Sequence, residues 1–342
     1  MTCLHPRHVW YDKVHRSKIS FDPVYDYFWQ EIEIPCGNCI GCLRRRSADW
    51  TIRLLGEHHF ETFHNSQNNP YKQFSFITLT FDDYSLPDDY QENLHMELLS
   101  EFFRHLRDNN RKHGLPVPKF FGCGERGKTT KRLHYHALVY GENFMRSFDG
   151  VEDTKIVGYN QKISQPYYST KKLRDHWKKG HVVCVPMVNE PIACYCSGYM
   201  MKDERVRMIY VGSGDNLQEK DLREETKDLP RTSAIRCSTN LGKEFFRLYK
   251  DQFVDQGVIR SGNRVYGLPR YFKKMLDKEF PEDFQKVQER AQEYLKDPAL
   301  QALRTPDMLR QKEEILLQKF HERIRPYENN CDYCTAFDNA IT

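Results

Sequence analysis

The sequence predicts an α+β protein, and three observations carry that prediction. Phe74-Ser-Phe-Ile-Thr-Leu-Thr80 and Leu133 to Tyr140 follow the two-residue period of strands. Between them Leu94, Leu98, Leu99, Phe102, Phe103 and Leu106 recur at helical spacing. Strand, helix, strand (Val117 to Gly122) and a further strand in hairpin connection form the opening of a split β-α-β unit. With 342 residues and 39% hydrophobic content, the chain can bury a sizeable core.

The remaining elements follow in order. Leu43 to about Phe63 reads as a helix, with Trp50, Leu54, Leu55 and His58 on one face. The strand at Phe74 closes at Asp82-Asp83 and Pro87, and the next helix, Glu92 to Lys112, is stopped by Gly114 and Pro116. Gly141 to Tyr168 has no clear period and is expected to be a long loop or insertion. Lys171 to Lys179 reads as a short helix, and His181 to Met187 as a strand whose Pro186 suits an edge or a strand end. Glu190-Pro-Ile opens another helix, with Pro191 in its first turn. Asp215 to Arg231 is charged and aperiodic, as a surface loop would be. Leu241 to Lys250 and Pro269 to Phe280 are helical in pattern and flank a hairpin around Ser261-Gly262-Asn263. Glu282 to about Glu322 supports two amphipathic helices. The chain thus divides into a Cys-rich segment and helix (1–62), a core (63–212), and a C-terminal loop, hairpin and helical extension (213–342).

Composition narrows the classes. No apolar run approaches the roughly 18 residues of a membrane span, and the start has no signal-peptide pattern, so a cytoplasmic protein is expected. The net charge of +4, from 52 basic and 48 acidic residues, is too even to mark a nucleic-acid binder by itself. Any DNA-binding surface must be local, with Arg44-Arg45-Arg46, Lys128 with Lys131 and Arg132, and Lys171-Lys172 with Lys178-Lys179 as patches.

Eleven cysteines in a chain without an export signal point to metal ligands or buried thiols rather than disulfides. Cys36-Gly-Asn-Cys39-Ile-Gly-Cys42 can present three thiolates to one ion, with Cys3 as a fourth and zinc as the simplest occupant. Reduced, unliganded thiols are the rival reading. An iron–sulfur cluster fits less well, because Arg46 stands where the ferredoxin run has its fourth cysteine. Cys331-Asp-Tyr-Cys334 is a further half-site; Cys123, Cys184, Cys194, Cys196 and Cys237 read as small buried hydrophobes.

Chemistry concentrates in Arg132-Leu-His134-Tyr-His136. At the strand period, His134 and His136 share a face and suit one metal ion, though two histidines on a solvated strand face would show the same spacing. Glu125, on the strand expected to pair with them, completes a two-histidine, one-carboxylate set; Asp82 and Asp83 are the fallback ligands. Downstream, Tyr195, Tyr199 and Lys202 share one helical face. Such an aromatic pair is ordinarily a packing stripe. Beside a metal-bound phosphate it would instead offer two phenolic nucleophiles, with Lys202 to neutralise or protonate a departing oxygen.

The ordered motifs Phe-Ile-Thr-Leu-Thr80, His134-Tyr-His136 and Tyr195-Cys-Ser-Gly-Tyr199-Met-Met-Lys202 resemble those of the HUH endonucleases, in the two-tyrosine class that initiates rolling-circle replication. Met-Thr-Cys-Leu-x-Pro6, Pro35 to Cys42, Cys123-Gly-Glu-Arg-Gly127 and Pro269-Arg-Tyr271 look like the initiation proteins of gokushoviruses, small single-stranded-DNA phages. The resemblance implies a central antiparallel sheet flanked by helices, and a divalent ion (Mg2+ or Mn2+) on the two histidines and an acid. It also implies a 5′-phosphotyrosine intermediate formed on single-stranded or supercoiled origin DNA in the host bacterial cytoplasm, with host helicase and polymerase as partners. Asp203 stands where a second lysine often follows the motif lysine, which leaves the cation role to Lys202. A transposase or relaxase using the same site, or a non-catalytic zinc-bearing nucleic-acid-binding protein, are the alternatives.

Overall fold

The computed structural model describes residues 3–15, 18–64, 74–127, 131–146, 153–160, 165–186, 190–202, 207–226 and 233–329. Its chain forms two compact units, each assembled from segments distant in sequence. The larger comprises Ser47–Glu204, Pro230–Arg290 and Arg325–Thr342, and the smaller Met1–Arg46, Arg205–Leu229 and Ala291–Ile324. Helix α1 (Ile40–Phe63) gives its residues through Arg46 to the smaller unit and the rest to the larger.

The larger unit is built on a seven-stranded sheet. Its order is β12 (Ser233–Cys237), β5 (Lys119–Arg126), β6 (Leu133–Tyr140), β4 (Phe74–Phe81), β9 (Gly180–Val185), β8 (Gln165–Thr170) and β7 (Thr154–Asn160), with every neighbouring pair antiparallel. The expected α+β class, with a central antiparallel sheet flanked by helices, is the class observed. Helix α2 (Met96–Lys112) joins β4 to β5, and β6 returns between them, which is the split β-α-β arrangement.

Both faces of the sheet are covered. On one face, Ile77, Leu79 and Phe81 of β4 and Leu133, Tyr135, Ala137 and Val139 of β6 pack against Leu99, Phe102, Phe103 and Leu106 of α2, and against Leu173 and Trp177 of α3 (Lys171–Trp177). On the other, Phe76, Leu138 and Tyr140 meet Leu54 of α1 and Ile192, Ala193 and Cys196 of α4 (Glu190–Lys202). The Tyr140 hydroxyl donates to the Leu54 carbonyl at 3.0 Å, tying β6 to α1. Strand β6 is therefore buried at all eight positions, although its sequence includes two histidines.

Glycines on β5 let α2 approach. A Cβ on Gly122 would stand 2.7 Å from Leu99 Cδ2, and one on Gly124 would stand 2.6 Å from Met96 Sδ. A separate core joins Ile52 of α1 to Phe246 and Phe253 of α6 (Lys243–Gln256), Ile259 of β13 (Val258–Ser261), Phe272 and Leu276 of α7 (Arg270–Glu279) and Val287 of α8 (Pro281–Leu295). Strand β14 (Arg264–Gly267) completes the expected hairpin with β13.

Three expectations need correction. The helix expected from Glu92 begins at Met96, because His95 has a left-handed backbone (φ 42°) that no helix can continue through. Gly141 to Tyr168 is not a loop throughout: β7 and β8 pair within it, and a bulge between Ile156 and Gly158 breaks the alternation that would mark a strand. Strand β9 lies inside the sheet, so Pro186 marks its end rather than an edge.

The smaller unit holds a three-stranded sheet, β2 (Ile19–Ser20), β1 (Arg7–Asp12) and β3 (Trp29–Ile34). A hairpin of β10 (Met208–Val211) and β11 (Gln218–Asp221) lies in what reads as a charged loop, because β11 is exposed at every residue and so has no apolar face. The short α5 (Arg223–Thr226) and α9 (Pro298–Ala302) precede the C-terminal α10 (Pro306–Asn329), which realises the expected helical extension. Buried His5 joins these parts, with Nδ1 2.9 Å from Glu219 and Nε2 2.8 Å from Glu313, while its ring stacks on Tyr210. Glu313 also accepts the Tyr210 backbone N–H at 2.7 Å.

Candidate metal and nucleophile site

The β5–β6 register sets Glu125 opposite His134 and Cys123 opposite His136, so all four side chains share the sheet face toward α4. The Glu125 Oε1 atom lies 3.1 Å from His134 Nε2 and 3.4 Å from His136 Nε2. One ligand atom from each residue lies within 4.8 Å of the others, and all three residues are buried. These separations compare with the edge of about 3.0 Å of an octahedron with 2.1 Å metal–oxygen bonds.

The opposite ring nitrogens are held from outside. His134 Nδ1 is 3.2 Å from the Arg132 carbonyl, which can only accept, so Nδ1 carries the hydrogen and a neutral ring turns its Nε2 lone pair toward Glu125. Two acceptors facing each other at that distance call for a cation or a proton between them. His136 Nδ1 lies 2.8 Å from the Thr78 hydroxyl on β4, whose register partner is His136. Metal-binding histidines are typically oriented by such outer partners. The spacing of ligand types does not reveal Thr78; its parity with Phe76 on a strand paired to β6 is the signal that would.

Helix α4 brings Tyr195 to this face. Its ring lies 6.0 Å from His136 and 6.1 Å from Phe76, edge-on to both, and Phe76 stacks on His136 at 5.4 Å. The helix is pinned to α1 by buried Ser197, whose Oγ lies 2.8 Å from Thr51 Oγ1 and 3.3 Å from Ser47 Oγ. Tyr199 and Lys202 occupy the same helix at the i+4 and i+7 positions from Tyr195, and their side chains lie outside the described residues. Asp82 and Asp83 do not join the three-residue group: Asp82 accepts from the Ser85 backbone at 2.8 Å and Asp83 pairs with Arg132.

A second group forms in the smaller unit. Cys3, Cys36, Cys39 and Cys42 gather their sulfurs within 4.8 Å of one another without any disulfide among them. Contact with Cys3 pulls the Cys36 thiol down to about 7, and contacts with Cys3, Cys36 and Cys42 hold Cys39 low; the same contacts push Cys3 and Cys42 up. Cys331 and Cys334 lie outside the described residues. Cys123, Cys184 and Cys196 are fully buried, as expected of small hydrophobes, whereas Cys194 and Cys237 are half-buried.

Of the basic patches, Arg44, Arg46, Lys131, Lys171 and Lys178 are exposed, and Lys128 lies outside the described residues. Lys172 is a correction. It is buried against Glu142, with Nζ 2.5 Å from Oε1, because α3 turns this residue inward beside Leu173. Glu142 is completed by the Asn110 amide at 2.6 Å, which makes this a structural ion pair rather than part of a surface.

Fold and geometry thus define an α+β protein carrying a two-histidine, one-carboxylate group beneath a tyrosine-bearing helix. Residues 74–204 match the family of the replication-associated protein ORF2 and gene 2 protein, and this segment contains the whole group and the helix. The chain is 27% identical over 251 residues to the replication-associated protein ORF4 of Chlamydia phage 1, covering 73% of this chain and 55% of that protein, so it spans little more than half of that relative's length. It is 26% identical to the replication-associated protein VP4 of Bdellovibrio phage phiMH2K (72% of this chain, 69% of that protein) and 25% identical to the replication-associated protein ORF2 of Spiroplasma virus 4 (73% and 70%). The resemblance to small-phage replication proteins read from the motifs is therefore found across most of the chain. No solved structure matches it. Among the described residues no helix is long and apolar enough to cross a membrane.

Proposed function

We propose that this protein is a metal-dependent nickase and strand transferase that starts and ends rolling-circle replication of a phage genome inside the host bacterium. The single observation that carries this reading is the Glu125–His134–His136 group on the sheet with the Tyr195 ring 6.0 Å from His136. Glu125, His134 and His136 would hold the ion. Bound there, Mg2+ or Mn2+ supplies Lewis-acid polarisation of a phosphate oxygen.

The chain's own residues do the rest. A tyrosine hydroxyl of α4 attacks the scissile phosphorus of single-stranded origin DNA, forming a phosphotyrosine bond as the 3′-oxygen departs and takes up a proton. The phenol, with an ordinary pKa near 10, is a better leaving group than an alkyl alcohol, so the step is reversible without ATP. Lys202 neutralises charge on the departing oxygen. The free 3′-OH serves a host polymerase behind a host helicase, and the second tyrosine of the pair cuts the regenerated origin so that the first linkage is resealed into a circle.

The test is covalent capture. Purified protein incubated with Mn2+ and end-labelled single-stranded origin DNA should give a denaturation-resistant adduct, and mapping should place the nucleotide on the peptide bearing Tyr195 and Tyr199. His134→Ala/His136→Ala protein should form no adduct while retaining non-specific DNA binding, which phosphate contacts elsewhere supply. An adduct of normal yield from the double alanine variant rejects the assignment.

A further inference from the structure

We infer that Cys3, Cys36, Cys39 and Cys42 form a closed tetrathiolate zinc site that staples the smaller unit, chemically and functionally separate from the Glu125–His134–His136 group. The sulfur framework matches such a site. Cys3 Sγ lies 3.6 Å from Cys36 Sγ and 4.0 Å from Cys39 Sγ, and Cys36 Sγ lies 3.9 Å from Cys42 Sγ. Sulfurs at the usual 2.3 Å from a tetrahedral zinc stand about 3.8 Å apart. A disulfide would bring one pair to about 2.05 Å, which none of these approaches.

The backbone is already arranged for thiolates. Leu4 N–H donates to Cys39 Sγ at 3.4 Å, Cys36 N–H to Cys3 Sγ at 3.3 Å, Asn38 N–H to Cys36 Sγ at 3.5 Å and Cys42 N–H to Cys39 Sγ at 3.4 Å. Each such bond stabilises negative charge on sulfur. Gly37, with φ +83° and nothing within 4 Å of a notional Cβ, makes the left-handed turn that lets Cys36 and Cys39 face the same point. Cys39 and Cys42 then flank the start of α1 at Ile40.

Four sulfur ligands leave no open position for a substrate, so the ion is structural rather than catalytic. Its place in the chain says what it holds. Strands β1 and β3 pair with Arg7 opposite Ile34, so Cys3 and Cys36 lie just beyond the same end of that pair. The ion would clamp this end of the sheet to the first turn of α1, closing a loop that contains all three strands. The larger sheet needs no such staple, its β6 being buried at every position, whereas β2 and β3 have no fully buried residue.

Metal analysis of protein purified without added zinc should find one zinc per chain. His134→Ala/His136→Ala protein should keep that zinc and Cys39→Ser should lose it. Because Cys39→Ser can simply misfold, the wild-type protein supplies a second reading. Stepwise mercurial titration of its thiols should release the zinc in step with four fast-reacting cysteines, and cobalt replacement should give the intense visible bands and near-ultraviolet sulfur-to-cobalt band of a tetrahedral tetrathiolate. Zinc-free protein, iron in its place, zinc lost from the histidine variant but not from Cys39→Ser, or a cobalt spectrum without sulfur charge transfer would each overturn the assignment. None of these outcomes depends on whether the protein cuts DNA.

Discussion

At the scale of single residues, the candidate site was legible to the extent that its ligands obey strand parity. His134 and His136 share a face by period alone, and Glu125 joins them because β5 extends to Arg126, four residues beyond the Gly122 end predicted from its apolar run. Thr78 was not legible, because its role depends on cross-strand register, which no local pattern encodes. Its hydroxyl orients His136, so Thr78→Val should weaken Mn2+ dependence by roughly 10- to 100-fold while leaving the unfolding midpoint nearly unchanged. A metal titration of nicking checks this, and an unchanged half-saturating Mn2+ concentration would show that the contact is incidental. For the tyrosines, phenylalanine retains the ring against Phe76 and His136 and removes only the hydroxyl. Either single variant should still nick a short oligonucleotide but fail to circularise a replication product; Tyr195→Phe/Tyr199→Phe should form no adduct. Adducts from the double variant would move the nucleophile elsewhere. Lys202→Arg should slow cleavage more than it weakens DNA binding.

At the scale of elements, helix α2 and strands β4 and β6 follow from periodicity because each presents a continuous apolar face. The β7–β8 hairpin did not, since its bulge interrupts the alternation, and Lys172 misled because a lysine beside a second lysine looks solvated. Lys172→Met should destabilise the protein by about 3–5 kcal/mol, because it leaves Glu142 charged and buried without its partner. Denaturant midpoints measure this, and Lys172→Met/Glu142→Leu should recover much of the loss. If the single variant is as stable as the parent, the ion pair does not persist in solution. On the sheet's α2 face, Gly122→Ala should cost about 1–3 kcal/mol by driving a methyl into Leu99.

At the scale of the whole molecule, the chain's order says little about which distant segments pack together. His5 finds its partners at Glu219 and Glu313, hundreds of residues along, and no composition shift announces this. Stability of the assembled protein should also depend on pH through His176. Burial holds its imidazole below the ordinary 6.5, with Nδ1 donating to the Lys172 carbonyl and Nε2 accepting from Asn109. A depressed folded-state value means that the neutral ring is favoured by folding. Its contribution is therefore complete above pH about 6.5 and is lost as pH falls through the folded value. Thermal unfolding from pH 8 down to 5 should show a decline that His176→Gln flattens; parallel curves for the two proteins would assign the decline to other groups.

The position of β6 in the sheet carries one more consequence, in the kinetics of amide exchange. The histidine strand is bonded on both sides, by β5 and β4, whereas Glu125 rides on β5, which has only β12 between it and the sheet edge. Fraying from that edge would release β12 first, then β5, and would leave the two imidazoles in register until the sheet as a whole opened. Deuterium uptake should accordingly rise in the order β6, β5, β12. The carboxylate is then the ligand that local opening carries away from the histidines, and metal off-rates should track exchange in Lys119–Arg126 rather than in Leu133–Tyr140.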